Sequence, residues 1–450
     1  MLTRIAALSL LVLASARPGL SQNALPQSVP DIQKVLDRLQ KLEEQNRQIV
    51  EEIHALREEL SGRAPSPAAP APDVNERLDV QESRTAELAQ TRVEASQKYP
   101  VSLTGMLLFN AFENGKFSGT SQDPAAAALT RGPASSGASL RQTVLGLKFS
   151  GPDLPRGGKA SGSLYMDFFA GTSAPFNNLL HIRVATLDLA WKNTTISVGQ
   201  DKPIISPREP TSLAQVGVSP LTAAGNLWDW QPQVRIEQRF ALGENSGVRA
   251  QAGVYETSES YPGTLPAFYA GTLEKARPGY EGRVEFFTGA GNRRLEIAPG
   301  FHLSTTHVLG VSVPSHIVSL DWLARPLAMV EFTGEFFHGQ NVAGLGAKQG
   351  FDILPSDTVS PVHSQGEWGQ VALFPASRLS FHIYAGEQHD RATDVAAGGV
   401  NRNFVYAGNL IYKLAPNVLA SLEASQARTQ YLGSLLRLNN HYDLALAYLF

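Results

Sequence analysis

His441–Phe450 reads HYDLALAYLF. Tyr442, Leu444, Leu446, Tyr448 and Phe450 fall on one face of this stretch, and His441, Asp443, Ala445 and Ala447 on the other. A strict period of two is the mark of a β-strand, because successive side chains leave a pleated backbone on opposite sides. Aromatic rings stand at both ends of the apolar face with leucines between them. A strand crossing lipid distributes its side chains in this way, with rings at both interfaces. An edge strand of a soluble sheet would show the same alternation, so the rest of the chain has to decide.

The opposite end speaks for export. Met1–Arg4 is a short basic start, Ile5–Ala14 an apolar run, and Ala14-Ser15-Ala16 a small-residue cleavage site. Residues 1–21 are expected to be a signal peptide, with cleavage after Ala16 or nearer Ser21. The apolar run is too short to span a bilayer, and no other stretch approaches the roughly 20 apolar residues a membrane helix needs. Any membrane this chain enters must therefore be entered as a closed barrel. Tyr448 and Phe450 would then be the assembly signal read by barrel-assembly machinery, which implies the bacterial outer membrane. The chain of 450 residues has no cysteine, which excludes disulfides, thiolate metal sites and cysteine nucleophiles. A net charge of -3 leaves no basic footprint for nucleic acid.

Segment 31–61 carries heptads. Ile32, Leu39, Asn46, Ile53 and Leu60 fall at a, and Val35, Leu42, Ile49 and Leu56 at d, with Glu, Gln, Lys and Arg filling most of the other positions. A parallel coiled coil is expected, on the periplasmic side, with Asn46 as its register device. Isoleucine at both a and d favours three helices, while the asparagine favours two. Residues 62–99 follow as an Ala/Pro linker (RAPSPAAPAPD over 63–73) and a weaker helical stretch.

From residue 100 to 450 the alternation recurs in short segments, predicting an all-β transmembrane barrel. Up-going strands are read over 101–113, 159–171, 194–201, 247–256, 293–304, 327–338, 378–389 and 418–430. Down-going strands are read over 140–150, 181–191, 232–242, 279–288, 316–324, 364–374, 403–413 and 439–450. The expected tight turns include Arg325–Pro326; the long connections are 114–139, 202–231, 257–278 and 339–363. Phe268–Lys275 could pass as a further strand, but counting it would give an odd total, rare in bacterial barrels. Sixteen antiparallel strands remain.

A barrel of that size can hold an aqueous channel, so lumen charges would set what passes. The alternation aims Arg235, Glu237, Arg239, Arg249, Arg283, Glu331, Glu335 and His382 inward. An arginine ladder attracts anions, yet the interleaved glutamates could make it a structural set of cross-strand ion pairs. Basic and acidic residues nearly balance over 100–450. Loop 202–231 is the expected constriction, with Lys202, Arg208, Glu209 and Asp229 in its field; the alternative is that it caps the outside. No HExxH, GxSxG or P-loop is present, so neither a catalytic residue, a metal site nor a cofactor is expected.

Ser197-Val-Gly-Gln200, a long proline-containing loop and Gln231-Pro-Gln-Val-Arg-Ile236 follow one another here, with Ser319-Leu-Asp-Trp322 and Gly334-Glu-Phe-Phe337 further on. With the signal segment, coil, linker and barrel, this order resembles the DcaP-like porins; the phosphate-selective porins are a second similar family. The resemblance implies a homotrimer in outer-membrane lipid that passes small solutes, organic anions among them. A barrel enzyme, or a structural or adhesive barrel tethered through its coil, are the alternatives of other classes.

Overall fold

The computed structural model describes residues 101–170, 179–256, 273–274, 278–308, 311–354 and 358–450, together with Glu44, Arg47 and Glu51. Those three are helical and exposed. The signal segment 1–21, Asn46 and the linker 62–99 lie outside the described residues.

Sixteen strands close on themselves. They are β1 (Val101–Asn114), β2 (Val144–Leu154, continued outward by Ser135–Ser139), β3 (Gly158–Ala170), β4 (Leu179–Ala190), β5 (Thr194–Asp201), β6 (Gln231–Ala241), β7 (Ser246–Tyr255) and β8 (Gly279–Ala290). The second half comprises β9 (Arg293–Val308), β10 (Val311–Leu327), β11 (Val330–Gln340), β12 (His363–Ala376), β13 (Leu379–Asp390), β14 (Val400–Ala415), β15 (Val418–Tyr431) and β16 (Arg437–Leu449). Each pairs antiparallel with its neighbours in sequence, and β16 returns to β1 through the register Met106↔Leu449 to Asn114↔His441. Closure satisfies every strand edge, which an isolated sheet in lipid could not do.

The two faces separate by alternation. On β16, Tyr442, Leu444, Leu446 and Tyr448 are each about half exposed, while Asp443, Ala445 and Ala447 are buried. Leu187, Phe332, Tyr406 and Tyr412 are exposed on their strands, as are Phe149, Val234, Phe286 and Val318. A water-soluble sheet would hide such a continuous apolar surface, so the outer wall is built to face hydrocarbon. No helix among the described residues is long and apolar enough to cross a membrane.

The strand order follows the alternation, with local differences. The line expected as 140–150 is broken: Ser135–Ser139 and Val144–Leu154 both pair with β1, and Leu140–Thr143 turn out of the ladder between them. The turn expected at Arg325–Pro326 lies three residues later, at Ala328–Met329, because β10 runs to Leu327 and pairs Leu327 with Val330 across a register shift. That shift accommodates Pro326, which has no N–H to give to a ladder. β9 and β10 continue pairing to Val308↔Val311, past the limits the alternation suggested. Of the region 257–278, Leu273–Glu274 adds a two-residue pairing to the upper end of β9 and makes no separate barrel strand.

Candidate functional site

The connection 202–230 lies inside the barrel and packs on its inner wall. Three small apolar clusters hold it. Ile205 and Leu227 join Ile317 and Phe337; Leu213 joins Leu108 and Ile411; Leu221 and Ala224 join Trp368 and Tyr384. Each buried aliphatic side chain contributes roughly 1.5–3 kcal/mol of transfer free energy. The wall is cut back to receive the loop. A Cβ on Gly386 would come 2.3 Å from the Ala224 carbonyl oxygen, and Gly225, at φ +97, comes as close to the Glu367 backbone. Leu221 and Ala223 also hold left-handed backbone, at φ 61 and 58, a conformation that costs a non-glycine residue about 1 kcal/mol and persists only where packing fixes it.

Polar anchors complete the attachment. The Gln142 side-chain oxygen accepts the Val216 and Gly217 N–H groups at 2.5 and 2.8 Å, and its amide donates to the Ala214 carbonyl at 2.7 Å. Asn110 and Asn409 donate to the carbonyls of Leu213 and Thr211, and Thr211 N–H donates to the Gln370 side chain. Glu423 accepts the hydroxyls of Ser212 and Tyr384 at 2.7 and 2.8 Å. Glu335 accepts Ser206 at 2.5 Å and the Trp368 indole at 3.3 Å.

The arginines of the facing wall are all engaged. Arg283, almost fully buried, bridges Asp321 and Glu285 at 2.7 Å each. Arg249 meets both oxygens of Glu285 at 2.6 Å. Arg208 reaches from the loop to Asp321 at 2.8 Å and also pairs with Glu296, which in turn holds Arg294. Arg235 pairs with Asp201 and Arg239 with Glu237, both at 2.7 Å. Buried networks of this kind are stable because each charge has partners. One asymmetry matters: side-chain exposure is 24% for Arg249 against 2% for Glu285, and 58% for Arg239 against 16% for Glu237. In these two pairs the guanidinium is the member that meets water, whereas Arg283 is buried with its partners.

At the loop's entrance Lys202 pairs with Glu209 at 2.8 Å, and Ser219 donates to the same carboxylate at 2.7 Å. Burial pushes the Glu209 carboxyl up, but the Lys202 ammonium and these hydrogen bonds outweigh it and hold it below its ordinary value. Asp229, at the loop's end, is shifted upward by burial against the Trp230 N–H that it accepts. Arg183 stacks over Trp230 at 4.7 Å.

The arrangement therefore brings Arg208, Arg249, Arg283 and Glu335 onto the loop's underside. It leaves two inward residues apart. Glu331 has no ion pair among the described residues, and buried His382 bonds only Ser380, at 3.0 Å. Phe450 is exchanged into the ladder with Gly105, and its ring stacks on Tyr448. Sequence reasoning missed Asn110, Gln142, Asn409 and Glu423. Their inward positions follow from alternation, but nothing local in the sequence names their partners in the loop. It also missed Asp123, on the connection 115–134. Burial, then the neighbouring Asp443, pushes that carboxyl well above its ordinary value. No group of three metal-ligating side chains occurs among the described residues.

No family model matches the sequence, and no curated protein does. Solved structures do match in shape. The outer membrane channel DcaP of Acinetobacter baumannii aligns with a TM-score of 0.63 at 15% identity, covering 78% of this chain and 97% of that one. The anion-selective porin of Comamonas acidovorans aligns at 0.51 and 14% identity, covering 78% and 99%. OmpF of Salmonella typhi, in complex with daunomycin, aligns at 0.51 and 11% identity, covering 78% and 97%. Likeness at such identities establishes a shared architecture: this chain has the porin fold, a closed sixteen-stranded antiparallel barrel.

Proposed function

We propose that this protein is an outer-membrane porin through which small hydrophilic solutes diffuse passively. One observation carries the reading: a membrane-type barrel holds an inward loop fastened to its wall, so that the lumen is narrowed without being given reactive groups. Lys202, Arg208, Glu209 and Asp229 form the field of that constriction. Organic anions are the favoured solutes, because in the Arg239–Glu237 and Arg249–Glu285 pairs the water-facing member is the guanidinium, with its carboxylate behind it. The solved structures of similar shape, among them an anion-selective porin, support the same direction.

The same reading includes export through segment 1–21, a periplasmic coil over 31–61 with Asn46 in its seam, and a homotrimer. Ile32 and Ile53 at a with Ile49 at d support the trimer. Purified protein in planar bilayers is expected to give stable conductance steps; their absence rejects the channel. Reversal potentials in asymmetric salt are expected to show an anion preference that weakens when Arg235 and Arg239 are replaced. Cation selectivity indifferent to those changes rejects the arginine field. Crosslinking of the full chain beside one lacking 32–60 tests the trimer, which monomers in both samples would exclude.

A further inference from the structure

We propose that the outer wall of β13–β16 carries a binding site for a phosphorylated, acylated lipid of the leaflet at the long-connection end of the barrel. The inference rests on the barrel spanning a membrane and is independent of whether it conducts.

The wall here is hollowed. A shallow groove of about 1180 Å³ runs along the outside, lined by Ile383, Leu410, Leu422 and Tyr442, with the small Gly408 and Ala424 between them and the carboxylate of Glu113 at its β1 edge. Gly408 and Ala424 face each other across β14 and β15, and Ala424 faces Tyr442 across β15 and β16. Small residues flanked by large apolar ones make a trough of a width suited to an acyl chain, within the belt that faces hydrocarbon.

One step nearer the long-connection end, the outward face turns polar. Tyr406, Gln426 and Asn440 form the next row across β14, β15 and β16, and Arg428 follows above. These side chains are tied together. Arg428 donates to Gln426 at 2.7 Å and to the Tyr406 hydroxyl at 3.3 Å, and its guanidinium lies 5.3 Å from the Tyr406 ring centre. Tyr406 donates to Gln426 at 2.9 Å, and Gln426 to Asn440 at 2.7 Å. Nothing in this set is negatively charged. No carboxylate lies within ion-pair range of Arg428 among the described residues, whereas the neighbouring exposed Arg402 is taken by Glu387 at 2.5 and 3.0 Å.

A fixed, exposed guanidinium with no carboxylate in ion-pair range sits above a mainly apolar trough that has Glu113 at its far, β1 edge. Guanidinium is suited to phosphate through its parallel N–H groups, and its hydrogen bonds hold it in place before a ligand arrives. The complementary molecule has a phosphate head and an acyl tail, joined at the boundary between the two rows. The wall at β8–β9 lacks this change of chemistry. Tyr280, the second residue of β8, and its partner Leu303 on β9 keep that outer face apolar close to the ends of the strands.

The test is native mass spectrometry of the full chain in nonionic detergent, titrated with lipid A (a phosphorylated, acylated glucosamine disaccharide). One saturable lipid per barrel is expected, with binding at least tenfold weaker in Arg428→Gln, which loses only the charge, and in Ala424→Phe, which fills the trough. Inorganic phosphate alone at millimolar concentration should not displace the lipid. Retained conductance in bilayers, or a retained heat-dependent gel shift, certifies the fold of each variant. Unchanged binding by Arg428→Gln overturns the phosphate assignment, and unchanged binding by Ala424→Phe overturns the acyl trough. Displacement by inorganic phosphate would reduce the site to one for free anions. Disulfide-linked chains from Ala424→Cys in native membranes would mean that a second copy covers the groove, which also overturns the proposal.

Discussion

The loop inside the barrel is held by two walls of different chemistry. Along β7–β10 it meets a dense set of ion pairs, in which Arg208, Arg249 and Arg283 share Glu285 and Asp321. Along β11–β16 it meets acids that have no basic partner within ion-pair range. There Glu335 and Glu423 accept hydrogen bonds from hydroxyls, an indole and an amide instead. The first wall is strong only while every charge keeps its partner. The second is a set of separable hydrogen bonds. The loop is thus clamped on one side and laced on the other, and the two sides should fail differently.

Replacing Arg283 by methionine tests the clamp most severely. It leaves Asp321 and Glu285 short of a buried partner, a loss of about 3–5 kcal/mol, and the temperature of the heat-dependent gel shift is expected to fall accordingly. Gln142→Ala tests the lacing from the β2 side, leaving two loop N–H groups and a carbonyl unpaired. About 1–3 kcal/mol is expected, read as a larger, noisier single-channel conductance with the barrel still closed. Glu335→Gln should be mild, within about 1 kcal/mol, because the amide keeps an acceptor for Ser206 and Trp368. If it proves as damaging as Arg283→Met, the contrast between the walls is wrong.

Acidification gives the smallest effect. The lowered Glu209 carboxyl contributes fully above the unfolded value of roughly 4.3 and is lost as pH falls through its folded value. Open-channel noise is therefore expected to rise only below about pH 4, and to be independent of pH in that range in Glu209→Gln.

How far the sequence could be read depends on the range of the interaction. Strand positions and faces are local: Tyr442 and Asp443 declare opposite sides by adjacency alone, and the strand order followed. The break at Leu140–Thr143 was not visible, because Arg141, Gln142 and Thr143 look like strand residues. Gln142 leaves the ladder for a partner far along the chain, Val216 being 74 positions away. The inward arginines were legible as positions. Their pairing was not, since Arg208 meets Asp321 across 113 residues, and no periodicity encodes which carboxylate a loop arginine will find.

The anchors of the loop also come from both ends of the chain. Asn110, on β1, holds Leu213 and at the same time bonds Asp443 on β16, a separation of 333 residues. Contacts so distant carry the largest loop-closure cost and form last. The first and last strands must therefore meet before the constriction can be finished. A barrel caught before its first and last strands meet would lack the Asn110 link that joins the Leu213 carbonyl to Asp443, and its constriction would be unfinished.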